Sequence, residues 1–139
     1  KSPYHTIAGR KFDIFPKGVV VIGYEGKDKE NFEHKLVLLS HDKLTSVMVG
    51  KDVIFWRSFV EIRDNNIYCI LSEGGKFYLA RYNDDLERTG KSVAEVDKDS
   101  VISFYESFIY INSADRKIMV LKKDDLSYIQ TIDPGKDVE

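Results

Sequence analysis

The chain has 139 residues, a formal net charge of −2 and an apolar fraction of 42%. This length is typical of a single domain, and the apolar and aromatic content argues against a disordered chain. Basic and acidic residues are interspersed, so the sequence lacks the basic stripe of a nucleic-acid-binding protein. The longest apolar run, Val19–Ile22, is far shorter than the ~20 residues that a membrane helix needs. We therefore expect neither a nucleic-acid partner nor insertion into a membrane.

The first predicted elements belong to a unit of about residues 10–50. Upstream of it, Tyr4–Ile7 predicts an additional strand, and if this strand paired with the last unit it would fasten the first and last units together. Within the unit, Phe12–Phe15 and Val19–Ile22 predict two strands on either side of the turn Pro16–Gly18. A longer loop then leads to the third strand of this unit.

The second unit, about residues 51–97, has the most regular pattern. Its short apolar runs are separated by Asp, Asn and Gly residues, which is the expected signal for an antiparallel meander. Because no stretch of ten or more residues has a period of 3.6, we expect almost no helix. The predicted strands are Ser58–Arg63, Ile67–Ser72, Lys76–Tyr82 and Leu86–Val93.

Two internal matches define a repeat that continues through a third unit, about residues 98–133. The segments Ser58–Tyr68 and Ser100–Tyr110 match at their apolar positions. A second marker is a tripeptide in which Asp suits a tight turn and Leu is predicted to begin the next strand. It occurs as Asp42-Lys43-Leu44, Asp84-Asp85-Leu86 and Asp124-Asp125-Leu126. We treat residues 1–139 as one repeat domain, with residues 134–139 as a flexible tail.

The repeat resembles the blades of a β-propeller. Its period of about 42 residues with four strands fits blade length, and its turn and Ile-Tyr pattern is similar to YVTN-like and quinoprotein-like propellers over residues 11–132. The Trp-Asp dipeptide of WD40 blades is absent. We predict an all-β fold of about three four-stranded antiparallel propeller-like blades with nearly no helix.

Closed propellers usually contain four to eight blades, so three blades leave two sheet faces without a neighbour. Four arrangements satisfy the pattern: a fragment of a larger propeller, a homodimer of about six blades, an unusually small ring, or an open array or sandwich. The first residue, Lys1, suggests a processed product or a piece of a longer chain. The sequence leaves all four arrangements open.

Short stretches also resemble the C-terminal region of the spirochaete 83/100-kDa antigen family. These are Phe55–Phe59 and Ser107–Tyr110. The resemblance implies a secreted, periplasmic or surface-associated protein, and it brings no enzymatic residues to carry over. On this basis an extracytoplasmic location is favoured.

The candidate binding site is the connection between the second unit and the strands before it. In a propeller, the loops that join successive blades share one face with the loops between the second and third strands. Phe55, Trp56 and Arg57 fall in such a loop, and Arg116 falls in another. Trp and Arg are enriched at binding hot spots, so these four residues are the predicted partner-binding site. The alternative is that Trp56 fills space between blades, with Arg57 stacked or solvated.

The sequence gives no catalytic or metal-binding signature. Cys69 lies in an apolar strand and is read as a small buried hydrophobe. Asp13, Glu61 and Ser103 occupy matching positions in three strands, which strand alternation explains without a shared site. The histidines lack the spacing of a zinc site: they are His5, His34 and His41.

We therefore expect a non-enzymatic binding or scaffold module of a larger, exported protein. It would recognise a protein or another macromolecular partner through loops presented on a rigid β-frame, and it would need no cofactor. One alternative is an accessory or sensor domain attached to an enzyme. Others are a surface antigen of structural role, or an enzyme whose site needs residues from a second copy.

Overall fold

The computed structural model describes residues 5–6, 12–24 and 33–137. The described strands form three antiparallel sheets, and each contains a four-stranded meander whose neighbours in sequence are also neighbours in the sheet. The predicted all-β fold with three four-stranded antiparallel units and almost no helix is confirmed. No described helix is long and apolar enough to cross a membrane.

The first sheet has one strand more than its meander, because the N-terminal strand joins it. β1 pairs antiparallel with β3 at Gly23 and Tyr24, beyond the point where the pairing of β2 with β3 ends. The additional strand is therefore present, and it pairs within the first unit rather than with the last one. The predicted loop after Tyr24 lies largely outside the described residues. The strands are β1 His5–Thr6, β2 Phe12–Phe15, β3 Gly18–Tyr24, β4 Lys35–Leu39 and β5 Ser46–Val49.

The second sheet agrees with the prediction in its central strands and is shorter at its edges. The first strand starts late because the Ser58 hydroxyl accepts a hydrogen bond from the Ile70 N–H and donates one to the Phe59 carbonyl. A side chain thus replaces the backbone ladder there. The strands are β6 Glu61–Arg63, β7 Asn66–Glu73, β8 Lys76–Tyr82 and β9 Arg88–Lys91.

The third sheet repeats this arrangement, including the serine at its start. The Ser100 hydroxyl accepts a hydrogen bond from the Asn112 N–H and donates one to the Val101 carbonyl. Ser58 makes the equivalent pair of bonds one unit earlier. Its strands and the helical turn that follows are β10 Ser103–Tyr105, β11 Phe108–Asn112, β12 Ile118–Lys122, β13 Tyr128–Ile132 and α1 Pro134–Asp137.

The turn marker of each unit has a conformation that the sequence did not suggest. The leucine of each Asp-x-Leu tripeptide has a φ between 53° and 63°, which is the left-handed region. The prediction that this residue begins the next strand is wrong, because it closes the turn and the strand starts after it. A shift in strand register accompanies each turn. The three residues are Leu44, Leu86 and Leu126.

The core has two large apolar layers, one on either side of the second sheet, and a smaller buried cluster of Val21, Val37 and Leu39 on the other face of the first sheet. Strand alternation sends Ile67 and Cys69 towards the first sheet and Tyr68 and Ile70 towards the third. The first layer joins them to residues of sheet 1 such as Val20, Ile22, Leu36 and Leu38. The second layer joins them to residues of sheet 3 such as Ile109, Ile111, Met119 and Leu121.

Candidate functional site

A tight turn between the first and second sheets presents Trp56 and Arg57. The chain before the turn is fixed to the second sheet, because the Phe55 N–H donates to the Ile70 carbonyl. After the turn, the Ser58 N–H donates back to the Phe55 carbonyl. The two residues between these bonds are thereby held at the tip. Phe55 is buried, whereas Trp56 remains 47% exposed.

Aromatic and cationic contacts connect this tip to the core. Phe55 packs edge-on against Trp56 and Phe77, at ring-centroid distances of 6.2 and 5.1 Å. The Arg57 guanidinium lies 5.5 Å from the centroid of the Trp56 ring, within cation–π range. Phe55, rather than Trp56, therefore fills the space between the sheets. Arg57 is stacked, as the alternative interpretation expected.

A cleft of about 310 Å³ opens beside Trp56. Buried apolar side chains, including Ile54 and Phe55, form its floor, and Glu33 and His34 stand with Trp56 at its edge. Partial burial lowers the pKa of His34, which favours its neutral imidazole. The cleft thus joins an apolar floor to a polar rim, which is the usual composition of a ligand pocket.

The fourth predicted site residue, Arg116, lies elsewhere. It occupies the turn between β11 and β12 with a φ of 66°, and its N–H donates to the Ser113 carbonyl. That turn borders a separate cleft of about 530 Å³, lined by Asp115, Lys117 and Tyr128 among others. Arg116 does not line the Trp56 cleft, so the described structure brings together three of the four predicted residues.

Most of the residues that line the Trp56 cleft were missed by sequence reasoning, including Phe77 and His34. Phe77 is on β8, and His34 precedes β4, so both are remote from Trp56 in the sequence. A backbone hydrogen bond from Ile54 to the His34 carbonyl brings the rim residue into place. The alternation of β8 could have identified Phe77 as facing the same layer as Leu79. The position of His34 depends on packing between chain segments and left no local signal.

The three matching polar positions in the first strands are not gathered into a site. Asp13, Glu61 and Ser103 lie opposite Val20, Tyr68 and Tyr110, as the repeat predicts. The Asp13 carboxylate accepts hydrogen bonds from the Ile14 and Ile62 N–H groups, which joins the first strands of two sheets. The Glu61 carboxylate pairs with Arg63. Asp13 and Glu61 thus have structural partners.

Neither a reactive thiol nor a metal site is found in the part of the chain that the structure describes. Cys69 is fully buried, and burial raises the pKa of its thiol far above the usual value. Among the described residues, no group of three His, Cys, Asp or Glu side chains is placed to hold a metal ion. No family model and no curated protein matches this chain.

Proposed function

We propose that the chain is a non-enzymatic binding module of propeller type that recognises a protein partner through the Trp56 cleft. The observation that carries the proposal is a half-exposed tryptophan over a buried aromatic floor. A large aromatic side chain gives much contact area at a low entropic cost, and such residues dominate binding energies.

The rigidity of the cleft supports a binding role. The turn that carries Trp56 is bounded by two backbone hydrogen bonds, and Ile54 before it pairs with Leu71 of β7. Its neighbour Phe55 belongs to the second apolar layer. Such a preformed surface loses little conformational entropy when a partner binds.

The chemistry of the cleft favours an apolar or aromatic side chain from the partner. The floor is apolar, Glu33 adds a negative charge to the lining, and the positively charged Arg57 guanidinium lies next to the Trp56 ring. A protein segment with an apolar anchor between charged or polar residues would fit this arrangement. The scaffold role follows from the three-sheet frame, which holds the loops in fixed positions.

The propeller assignment and the exported location belong to this proposal. The three meanders follow one another with the same strand order, and apolar layers separate them, as in consecutive blades. The turn residues and the serine hydrogen bonds recur from sheet to sheet. The antigen-like stretches Phe55–Phe59 and Ser107–Tyr110 support a location outside the cytoplasm.

In the test, the fluorescence of Trp56, the only tryptophan of the chain, reports binding to the unmodified chain. Random peptides displayed on phage are selected against the immobilised chain, and binding of the selected peptides is followed by the fluorescence of Trp56 and by calorimetry. We expect Trp56→Ala to weaken binding at least tenfold and Arg57→Ala to weaken it less. The control is Val101→Ala, at an exposed residue that does not line this cleft.

Selected peptides that bind Trp56→Ala and the unmodified chain equally would contradict the proposed site. A loss of folding in the variants would show as a changed urea midpoint. Because Trp56 is half exposed, we expect this midpoint to change little.

A further inference from the structure

A second cleft lies at the connection between the second and third sheets, and its volume is about 530 Å³. The connection contributes Ala94 and Glu95 to its lining, and the turn between β11 and β12 contributes Asp115 and Lys117. We call it the Glu95 cleft. The Trp56 cleft lies in the same way at the preceding connection, between the first and second sheets.

Backbone hydrogen bonds show that the two clefts are equivalent places in successive units. Three N–H to carbonyl bonds around the Trp56 turn recur one repeat period later around the next turn. The bonds run from Phe55 to Ile70 and from Asp97 to Asn112, from Ser58 to Phe55 and from Ser100 to Asp97, and from Ser72 to Val53 and from Ala114 to Glu95. The same backbone frame therefore carries both clefts, and they open on the same side of the molecule.

The start of β8 separates the two clefts and is shared by them. The Phe77 side chain lines the Trp56 cleft, while its carbonyl accepts a hydrogen bond from the Val96 N–H. Val96 directly follows Glu95 in the chain, and the Lys76 ammonium lies 3.7 Å from the Glu95 carboxylate. A partner segment that leaves the Trp56 cleft across Phe77 therefore enters the Glu95 cleft.

The spacing of the sheets sets the length of such a segment. Packed sheets lie about 10 Å apart, and an extended chain advances about 3.3 Å per residue. Equivalent points on successive sheets are therefore separated by roughly three residues of extended chain. One short segment can occupy both clefts without folding.

The Glu95 cleft differs from the Trp56 cleft in its chemistry. Its lining includes the buried Met119 and the half-exposed Tyr128. Lys117 pairs with Asp115 at 3.6 Å, so Glu95 supplies the remaining charge of the lining.

This combination of side chains suits a lysine or arginine from the partner. The apolar stem of such a residue can lie along Met119 and Tyr128 while its charged end meets Glu95. The existing pair of Glu95 with Lys76 joins two largely exposed side chains. Pairs of this kind contribute little to stability, so a cation from the partner can replace Lys76.

We propose that the partner binds as one extended segment that occupies both clefts. An apolar side chain enters the Trp56 cleft, and a lysine or arginine about three residues away enters the Glu95 cleft. The inference rests on the proposed function of the Trp56 cleft and adds a second contact and a charge preference to it. Because one segment makes both contacts, the second contact forms at a high effective concentration once the first has formed.

The peptides selected on phage for binding to the chain test this proposal. We expect their sequences to contain a basic residue about three positions from an apolar one. Replacing that basic residue by norleucine keeps an apolar stem and removes the charge. Calorimetry should then show binding weakened about fivefold, as expected for the loss of an exposed ion pair.

The matching change in the protein is Glu95→Gln. It should weaken the unmodified peptide about fivefold and should have no effect on the norleucine peptide, because the two groups then act as one coupled pair. The control is Glu87→Gln, the same change of charge at an exposed residue outside both clefts. This variant should bind both peptides as the unmodified chain does.

The outcomes separate this inference from the proposed function. Peptides that depend on Trp56 but not on Glu95 would leave the proposed function standing and exclude the second contact. Equal weakening by Glu95→Gln and Glu87→Gln would show an effect of net charge alone and would also exclude it. If no peptide is selected, or if Trp56→Ala leaves binding unchanged, the proposed function fails and the two-cleft segment fails with it.

Discussion

Replacing the three left-handed leucines one at a time separates their burial from their backbone strain. Leu44, Leu86 and Leu126 share nearly the same φ, but they differ in exposure. Leu86 and Leu126 are buried between sheets, whereas Leu44 is about half exposed. Since alanine has the same difficulty as leucine with this φ, a Leu→Ala substitution leaves the backbone cost unchanged. It measures the side-chain contacts alone.

The expected losses of unfolding free energy follow from that burial. Leu126→Ala should cost about 2–5 kcal/mol, the range for a leucine removed from a packed core. Leu44→Ala should cost about 1 kcal/mol or less, because a half-exposed leucine contributes only part of the ~1.5–3 kcal/mol of full burial. Urea unfolding measures both values.

Glycine at the same positions reveals the backbone strain. In ordinary strands and helices glycine is less stable than alanine by about 0.5–1 kcal/mol. At a left-handed position the order should reverse, because only residues with a Cβ pay about 1–2 kcal/mol there. Leu126→Gly should therefore be more stable than Leu126→Ala, and Leu44→Gly more stable than Leu44→Ala. If glycine is the weaker variant at both sites, the left-handed turn carries no strain and the argument fails.

Three further substitutions test other features of the fold. Gly18→Ala should destabilise the chain more than Gly75→Ala, and melting temperatures compare the two. A Cβ at Gly18 would overlap a backbone oxygen of β4, whereas one at Gly75 meets open space and costs only the about 1–2 kcal/mol of a left-handed φ. Tyr82→Phe should lose about 1 kcal/mol in urea unfolding, since its hydroxyl donates to the partly buried Asp52 at 2.8 Å. A backbone N–H two residues on lowers the pKa of Asp125 below its ordinary 3.8, so its contribution to stability is present above that value and is lost as pH falls through the lowered pKa. The acid loss of stability should be smaller in Asp125→Asn, and an unchanged acid profile would contradict this.

The sequence was sufficient for the sheets because their signals are local. Two-residue turns such as Asp64-Asn65 and Gly74-Gly75 adopt left-handed conformations that these residue types accept. Between such turns, alternation of apolar residues places each strand, and the bounds of β8 were predicted as found. The edge strands were less accurate, since serine hydroxyls at Ser58 and Ser100 replace ladder hydrogen bonds.

The features that escaped prediction depend on contacts between sheets. Leucine is a poor residue for a left-handed φ, and nothing beside Leu86 or Leu126 in the sequence explains its choice. The explanation lies in the preceding unit, where Gly50 and Gly90 leave room for these side chains. In the same way, only the packing of Phe55 into the second apolar layer decides that Trp56, its neighbour, points to solvent.

Binding at the Trp56 cleft and the packing of the sheets are physically coupled. Phe55 is shared by both, because it forms the floor of the cleft and belongs to the layer between sheets 2 and 3. In a linear array each sheet is stabilised only by its neighbours, so loss of sheet 3 would release Phe55 and the turn that presents Trp56. A partner bound at the proposed site would therefore stabilise the interface beneath it.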